Sequence, residues 1–518
     1  MTRGILLLAA LGALALECRA TDWAAVNEAS RVNALKVLRP GEPGKAPFWN
    51  GHAMAFIHPP AFDFKPVVGA KKYRFTVTEL ADGRRHAFEA EVPWADLAPV
   101  WDAIRPGYVL VVAEGIGKRD FCFGVAGSRY FYRAARFNGP YPSGDRDYRA
   151  AAAKCLEAIY RLPYVQGWLA QDTPPEGYDL YCYPSKILSS LIEAMIRYSA
   201  RASGEDAVRA VAIARKMADW LIAQCQPAGA PLEYLPPTYW GNRRGTAVGY
   251  AGQNMMIYPV SVGNAFLRLY GKTGEAKYRE AALRIAATLR RLQDERGTWW
   301  LKVREKDGLP VRKNLLVPGV EFFDFFSAVA RISGDAGYDE VVRRAVGFVE
   351  KGPFATWNWD GQFEDIDPKP PYVDLTAVRA VGFSGWLFRA GRTEDARLTL
   401  DWCEDQFVVW SDPIRHMDWK NWKMPTVLEQ YEYYTPIDAS MGNMVRAFVA
   451  AWTATKEDLY LEKAKALADC IVRNQRPDGT IPTYFDARGG SDWLNCMVVS
   501  AGSLETLAGV LPDSPSES

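Results

Sequence analysis

Apolar residues recur at helical spacing through the last two-thirds of this chain. Ile437, Met441, Met444, Val445, Phe448, Val449 and Trp452 fall on one face of a helix. Thr435 reads as its N-cap, Pro436 as the first helical position and Asp438 as a first-turn acid near capping-box spacing. The same reading predicts helices near 147–161, 184–202, 205–226, 252–271, 275–294, 318–333, 336–350, 371–390, 394–408, 435–454, 458–475 and 491–509, the last with Ser491 as its cap. Their junctions repeat: Ser203-Gly204-Glu205, Thr273-Gly274-Glu275, Ser333-Gly334-Asp335, and more loosely Arg392-Thr393-Glu394 and Thr455-Lys456-Glu457. A period of roughly 60–70 residues holding two helices is the mark of stacked helical hairpins. A second repeat, Gln293 to Thr298 against Gln475 to Thr480, with Gln224 to Gly229 as a looser copy, closes alternate helices. The prediction is a mainly α fold: six hairpins in an (α/α)6 toroid over 146–512. Short turns lie on one rim, and the long loops 162–183, 227–251, 297–317, 352–370, 409–434 and 477–490 on the other.

Ahead of this the period changes to two. Tyr73 to Thr78, His86 to Val92, Tyr108 to Val112 and Phe131 to Phe137 read as strands, with a turn at Asp82-Gly83, with Trp94 and Trp101 packing a turn, and with Asn138-Gly139-Pro140 through Gly144 as the linker to the helices. Residues 21–145 are therefore expected to hold a small antiparallel β-sandwich similar to fibronectin type III modules. Residues 1–20 have the features of a secretory signal peptide: Arg3, an apolar run from Ile5 to Leu16, and small residues before a cut after Ala20. The expected location is periplasmic or extracellular. Residues 513–518 read as a disordered tail.

With 518 residues and a net charge of +1, the chain has ample core and no reason to bind nucleic acid; no later segment is apolar enough to span a bilayer. The seven cysteines beyond Cys18 are scattered, with neither a C-x-x-C pair nor a neighbouring histidine, so no metal site, cofactor or dense disulfide framework is expected. Oligomeric state is open. The 18 Trp, 25 Tyr and 23 Phe change the picture because many fall in the long loops. Aromatic rings stack on the apolar faces of sugars, so the long-loop rim is expected to bind an oligo- or polysaccharide.

Candidate chemistry lies in those loops. Trp240, Arg243, Arg244, Tyr250 and Asn254 combine aromatics with two adjacent guanidiniums, which suit a sugar carboxylate. Trp299 adds aromatic surface beside Arg312, Lys313 and Asn314. Trp359, Asp360, Glu364 and Asp365 offer a stacking ring and acid or base groups. His416, the only histidine of the helical region, sits among Trp419, Tyr433 and Tyr434. Trp493 is a further stacking wall.

Tyr433 to Asp438 and Trp357 to Asp365 resemble stretches of secreted (α/α)6 carbohydrate-active enzymes, nearest to α/α-barrel polysaccharide lyases and unsaturated-glucuronyl hydrolases. Sugar epimerases on this scaffold use several barrel histidines, against one here. The resemblance implies a polysaccharide-degrading enzyme, first a lyase cleaving a uronate-containing glycan by β-elimination. Arg244 and Asn254 would then neutralise the carboxylate, with His416 as base and Tyr250 or Tyr433 as acid. A hydrolase using Asp360 or Glu364 with a second carboxylate is the alternative. A non-catalytic glycan-binding protein is the third reading.

Overall fold

The computed structural model describes residues 21–38, 53–313, 315–359, 377–411, 421–431, 434–488, 490 and 492–512. The expected leader and tail lie outside them.

A first helix, α1 (Trp23–Ala34), is capped by Asp22, whose carboxylate accepts the Ala25 N–H at 3.1 Å. Five strands follow: β1 (Ala55–Phe56), β2 (Lys72–Glu79), β3 (Arg85–Ala90), β4 (Gly107–Ile116) and β5 (Cys122–Arg133). They form one sheet in the order β1-β5-β4-β2-β3, antiparallel except for β1 alongside β5. Where a sandwich of two sheets was expected, the described residues of 53–133 form one five-stranded sheet, and the two-stranded sheets all lie later in the chain. Strict alternation buries Tyr73, Phe75 and Val77 on β2 and Val109, Val111 and Ala113 on β4. That face is covered by Phe56, Phe62 and Phe64 and by Trp101, whose indole N–H donates to the Ile57 carbonyl at 2.8 Å.

Among the described residues, twelve long helices then alternate between an outer and an inner ring. The outer ones are α2 (Tyr148–Arg161), α4 (Gly204–Ala223), α6 (Ala276–Leu292), α8 (Gly337–Val349), α10 (Thr393–Phe407) and α12 (Asp458–Arg473). The inner ones are α3 (Pro184–Ser199), α5 (Tyr258–Thr273), α7 (Val320–Ser333), α9 (Ala377–Arg389), α11 (Asp438–Thr455) and α13 (Leu494–Ala508). Each inner helix packs on the next, and α13 returns to α2 and α3 to close the ring. Among the described residues, no helix is long and apolar enough to cross a membrane.

The short junctions share one chemistry. Gly274, Gly334 and Lys456 each take a left-handed conformation just past an inner helix. The preceding Thr273, Ser333 or Thr455 hydroxyl donates one turn back and accepts the N–H of Glu275, Asp335 or Glu457. The second repeat is equally physical. Gln293 donates to the Gly297 carbonyl and to Val341 on α8, and Gln475 donates to Gly479 and to Ala151 on α2. A Cβ at Gly297 would lie 2.3 Å from the Arg344 carbonyl oxygen, and one at Gly479 2.6 Å from that of Lys154. The repeat is therefore a docking turn that ties one outer helix to the next, and its copy at 475 locks the ring shut.

The sheet region sits on α10 and α12. Asp405 on α10 accepts the N–H groups of Ile57 (2.6 Å) and His58 (2.9 Å). Burial pushes the Asp405 carboxyl up to about 7, opposed by those hydrogen bonds. A raised folded value means that stability from this group is full below the ordinary carboxylate range and is lost as pH rises through about 7. His58 works in the opposite sense: burial holds its ring down to about 4, so its contribution is lost as pH falls from the ordinary histidine value towards 4. Asp405→Asn isolates the first effect. In urea unfolding, the wild type should lose stability relative to the variant as pH rises from 5 to 7, by up to about 1.4 kcal/mol per pH unit. A pH-independent difference would sink this assignment.

Candidate functional site

The six inner helices start at the same rim, so their unsatisfied N–H groups and positive dipole ends converge there. The long loops deliver side chains to the same place. Trp493, immediately before α13, is the centre. Its ring stacks on Tyr183 with centroids 6.2 Å apart and planes at 17°. The Lys186 ammonium, in the first turn of α3, lies 4.5 Å from the Trp493 centroid, and the Arg244 guanidinium 5.9 Å from it. Lys186 is also 5.9 Å from the ring of Tyr258, the first residue of α5. From Tyr183 the aromatic band continues edge-on to Tyr239 (6.0 Å) and then to Tyr250 (5.5 Å), over which the Lys302 ammonium sits at 3.9 Å. In this strip Tyr183, Tyr239 and Lys302 are buried and form the backing, and the half-buried Trp493, Lys186, Arg244, Tyr250 and Tyr258 present π faces and cations in front of them.

Acidic groups here are restrained. Glu321, in the first turn of α7, is ion-paired with the buried Arg379 of α9, whose guanidinium burial pushes down to about 10. Asp438 is fully buried and accepts the Ser500 hydroxyl at 3.0 Å. Burial pushes its carboxyl well above the usual range, and the charge of half-buried Glu429 adds to the rise. No group of three or more His, Cys, Asp or Glu among the described residues is placed to hold a metal.

Of the residues singled out in the sequence, the structure gathers Arg244, Trp493 and Tyr250 on this strip. Others have structural work. Asn254 is fully buried; its Oδ1 accepts from Thr238 (3.0 Å) and its Nδ2 donates to the Pro236 carbonyl (2.9 Å), so it staples a turn instead of facing a carboxylate. Trp299 is a core ring, stacked on Phe322 at 3.9 Å with its N–H on the Leu289 carbonyl. Trp359 is likewise enclosed, against Phe383. Trp240 packs edge-on to Trp220 behind the strip. Tyr434 is buried beside Tyr431. Asp360, Glu364, His416, Trp419 and Tyr433 lie outside the described residues.

Arg243 is a positioning residue. Its guanidinium donates to the carbonyls of Pro174 (2.9 Å), Pro175 (2.8 Å) and Tyr178 (3.1 Å), pinning the loop that leads to Tyr183. Arg243→Ala should cost about 1–2 kcal/mol in urea unfolding, less than three charged hydrogen bonds because the group is only half-buried. It should also speed proteolysis within 172–178; unchanged cleavage would show that the loop is held by other contacts.

Sequence reading missed Lys186, Tyr183, Tyr258, Glu321 and Arg379. The signal was available in the period: four of the five fall within the first three residues of an inner helix. Helix 252–271 was expected to start early, but Gln253–Met255 is a short strand and α5 begins at Tyr258. Similarly α11 starts at Asp438, with Ile437 at the cap position in place of Thr435, because Pro436 and Ile437 bridge to Leu428 and Tyr484.

No family and no curated protein matches the chain. Solved structures do. A D-mannose isomerase superposes with a TM-score of 0.51 at 11% identity, over 72% of this chain and 100% of that one. A family 76 glycoside hydrolase from a bovine Bacteroides thetaiotaomicron strain covers 86% of this chain and 94% of its own (TM-score 0.43, 10% identity). An unsaturated glucuronyl hydrolase specific for heparin covers 70% and 97% (TM-score 0.45, 8% identity). The chain thus resembles (α/α)6-toroid carbohydrate-active enzymes, and at such identities the likeness is one of fold.

Proposed function

We propose that this chain is a carbohydrate-active enzyme that cleaves a uronate-containing glycan by β-elimination at the long-loop rim. The observation that carries the proposal is the placement of Lys186 and Arg244 over the Trp493 ring. A sugar stacked on Trp493 would set its carboxylate between two cations. Neutralising that carboxylate stabilises the enolate-like charge that develops when the C5 proton leaves. The C5–H pair becomes the C4=C5 double bond, the C4–O bond breaks, and the leaving oxygen takes a proton. Tyr258, beside Lys186, is assigned as the acid that supplies it. His416, read from the sequence, is assigned as the base. The leader read at 1–20 would place the reaction outside the cytoplasm.

Among the described residues, hydrolysis has less support at this rim. Glu321 is tied to Arg379, and Asp438 is enclosed and hydrogen-bonded to Ser500. Neither is free to flank a glycosidic bond as a paired acid and base. Digestion of uronate polymers separates the readings. Elimination creates a conjugated double bond that absorbs in the ultraviolet, whereas hydrolysis creates a reducing end without that absorbance. Reducing ends appearing with no new absorbance would overturn the elimination reading.

A further inference from the structure

Beneath the rim the ring encloses an axial cavity of about 390 Å³, within the small-molecule range of roughly 300–1,000 Å³. Its wall is made by α5, α7, α9 and α11. Four arginines line it, Arg268, Arg379, Arg389 and Arg446, against two carboxylates, Glu321 and Asp324. Three of these arginines have carboxylate partners: Arg379 pairs with Glu321, Arg389 with Asp324 at 2.9 Å, and Arg268 with Glu193. Arg446 differs. Among the described residues it forms no ion pair, and its one hydrogen bond goes to the Val499 carbonyl at 3.1 Å. Burial, with Arg197 and Arg268 nearby, pushes its guanidinium down to about 10, opposed by the charges of Glu193 and Glu505. A buried cation without a direct carboxylate partner is costly and would be stabilised further by an anion in contact with it.

Two amides face the same space. Asn264 and Asn443 line the cavity, and among the described residues neither side chain has a hydrogen-bond partner. Primary amides both donate and accept, which matches sugar hydroxyls. The Trp386 ring, stacked on Phe383 at 5.8 Å, supplies an apolar wall.

We propose that this axial cavity is a second binding site, distinct from the rim strip, for a monosaccharide-sized acid: one carboxylate on Arg446, and hydroxyls on Asn264 and Asn443. A single unpaired guanidinium matches a single negative charge. A phosphate dianion would bring a second charge towards Glu321 and Asp324, so the carboxylate is the favoured anion.

The test is calorimetric titration of the full chain with glucuronate, glucose and inorganic phosphate. Glucuronate should bind and glucose should not. Arg446→Met should weaken glucuronate by about tenfold or more, the loss of a charge-assisted pair. Asn443→Asp, which adds a negative charge to the wall, should weaken it as well. Trp493→Ala, at the rim, should leave this affinity unchanged. Circular dichroism confirms that each variant is folded. The proposal is overturned if glucuronate does not bind, if glucose binds equally, if phosphate binds in its place, or if folded Arg446→Met and Asn443→Asp both keep wild-type affinity. Loss of binding in Trp493→Ala would move the ligand to the rim and equally overturn it. Because the readout is binding, failure of the elimination assay would leave this proposal standing.

Discussion

Lys463→Met is expected to destabilise the folded chain by about 3–5 kcal/mol. The Lys463 ammonium lies 2.6 Å from Glu404 Oε2, and the two side chains are 1% and 3% exposed. They join outer helices α12 and α10 directly beneath the sheet region. The other Glu404 oxygen accepts the Trp410 indole N–H at 2.9 Å, and Trp410 packs edge-on against Phe137. Methionine fills much of the lysine volume but leaves a buried carboxylate without its cation. The loss comes from that stranded charge more than from the missing attraction, and a second substitution can show it. Glu404→Gln keeps an acceptor for Trp410 while removing the charge, so Lys463→Met with Glu404→Gln should recover most of the stability. Urea unfolding of the two variants decides the matter. A single variant as stable as the wild type, or a double variant no better than the single, would contradict this account.

Tyr258→Phe is the substitution expected to affect turnover most. Loss of a positioned acid typically costs about 10²–10⁴-fold, and kcat on a uronate polymer should fall by that order while KM changes little. The ring would still pack at the start of α5, and Lys186 would keep its aromatic neighbour. A purely structural tyrosine would show the reverse: a loss of stability with kcat retained. Steady-state rates with a folding check therefore distinguish the two, and full kcat in the folded variant would remove Tyr258 from the mechanism.

Part of the site could be read from the chain alone. Arg244 and Trp493 were found because each stands in a long loop among aromatics, and loops at one rim share a destination. Asn254 and Trp299 misled for the same reason. Both follow the right loops, but the short strand Gln253–Met255 turns Asn254 into a staple, and Trp299 enters another short strand facing the core. A polar or aromatic side chain in a loop has no sequence mark that says whether it faces solvent or core. The sheet misled differently. Alternation reveals one buried face per strand, and residues 53–64 with Trp101 cover that face as well as a second sheet would.

The sequence by itself determined the ring and its polarity. Those depend on local chemistry: a left-handed residue after three of the inner helices, a hydroxyl that closes the turn, and a glutamine docking turn whose glycine leaves room for a neighbouring carbonyl. Such interactions span a few residues and leave a mark at each repeat. Tertiary structure decided which side chains meet. Lys186 and Trp493 stand near opposite ends of the toroid sequence and come within 4.5 Å only because the last inner helix packs on the first. Closing the ring also leaves Arg446 facing a cavity whose two carboxylates, Glu321 and Asp324, are paired with other arginines, a circumstance set by four helices at once.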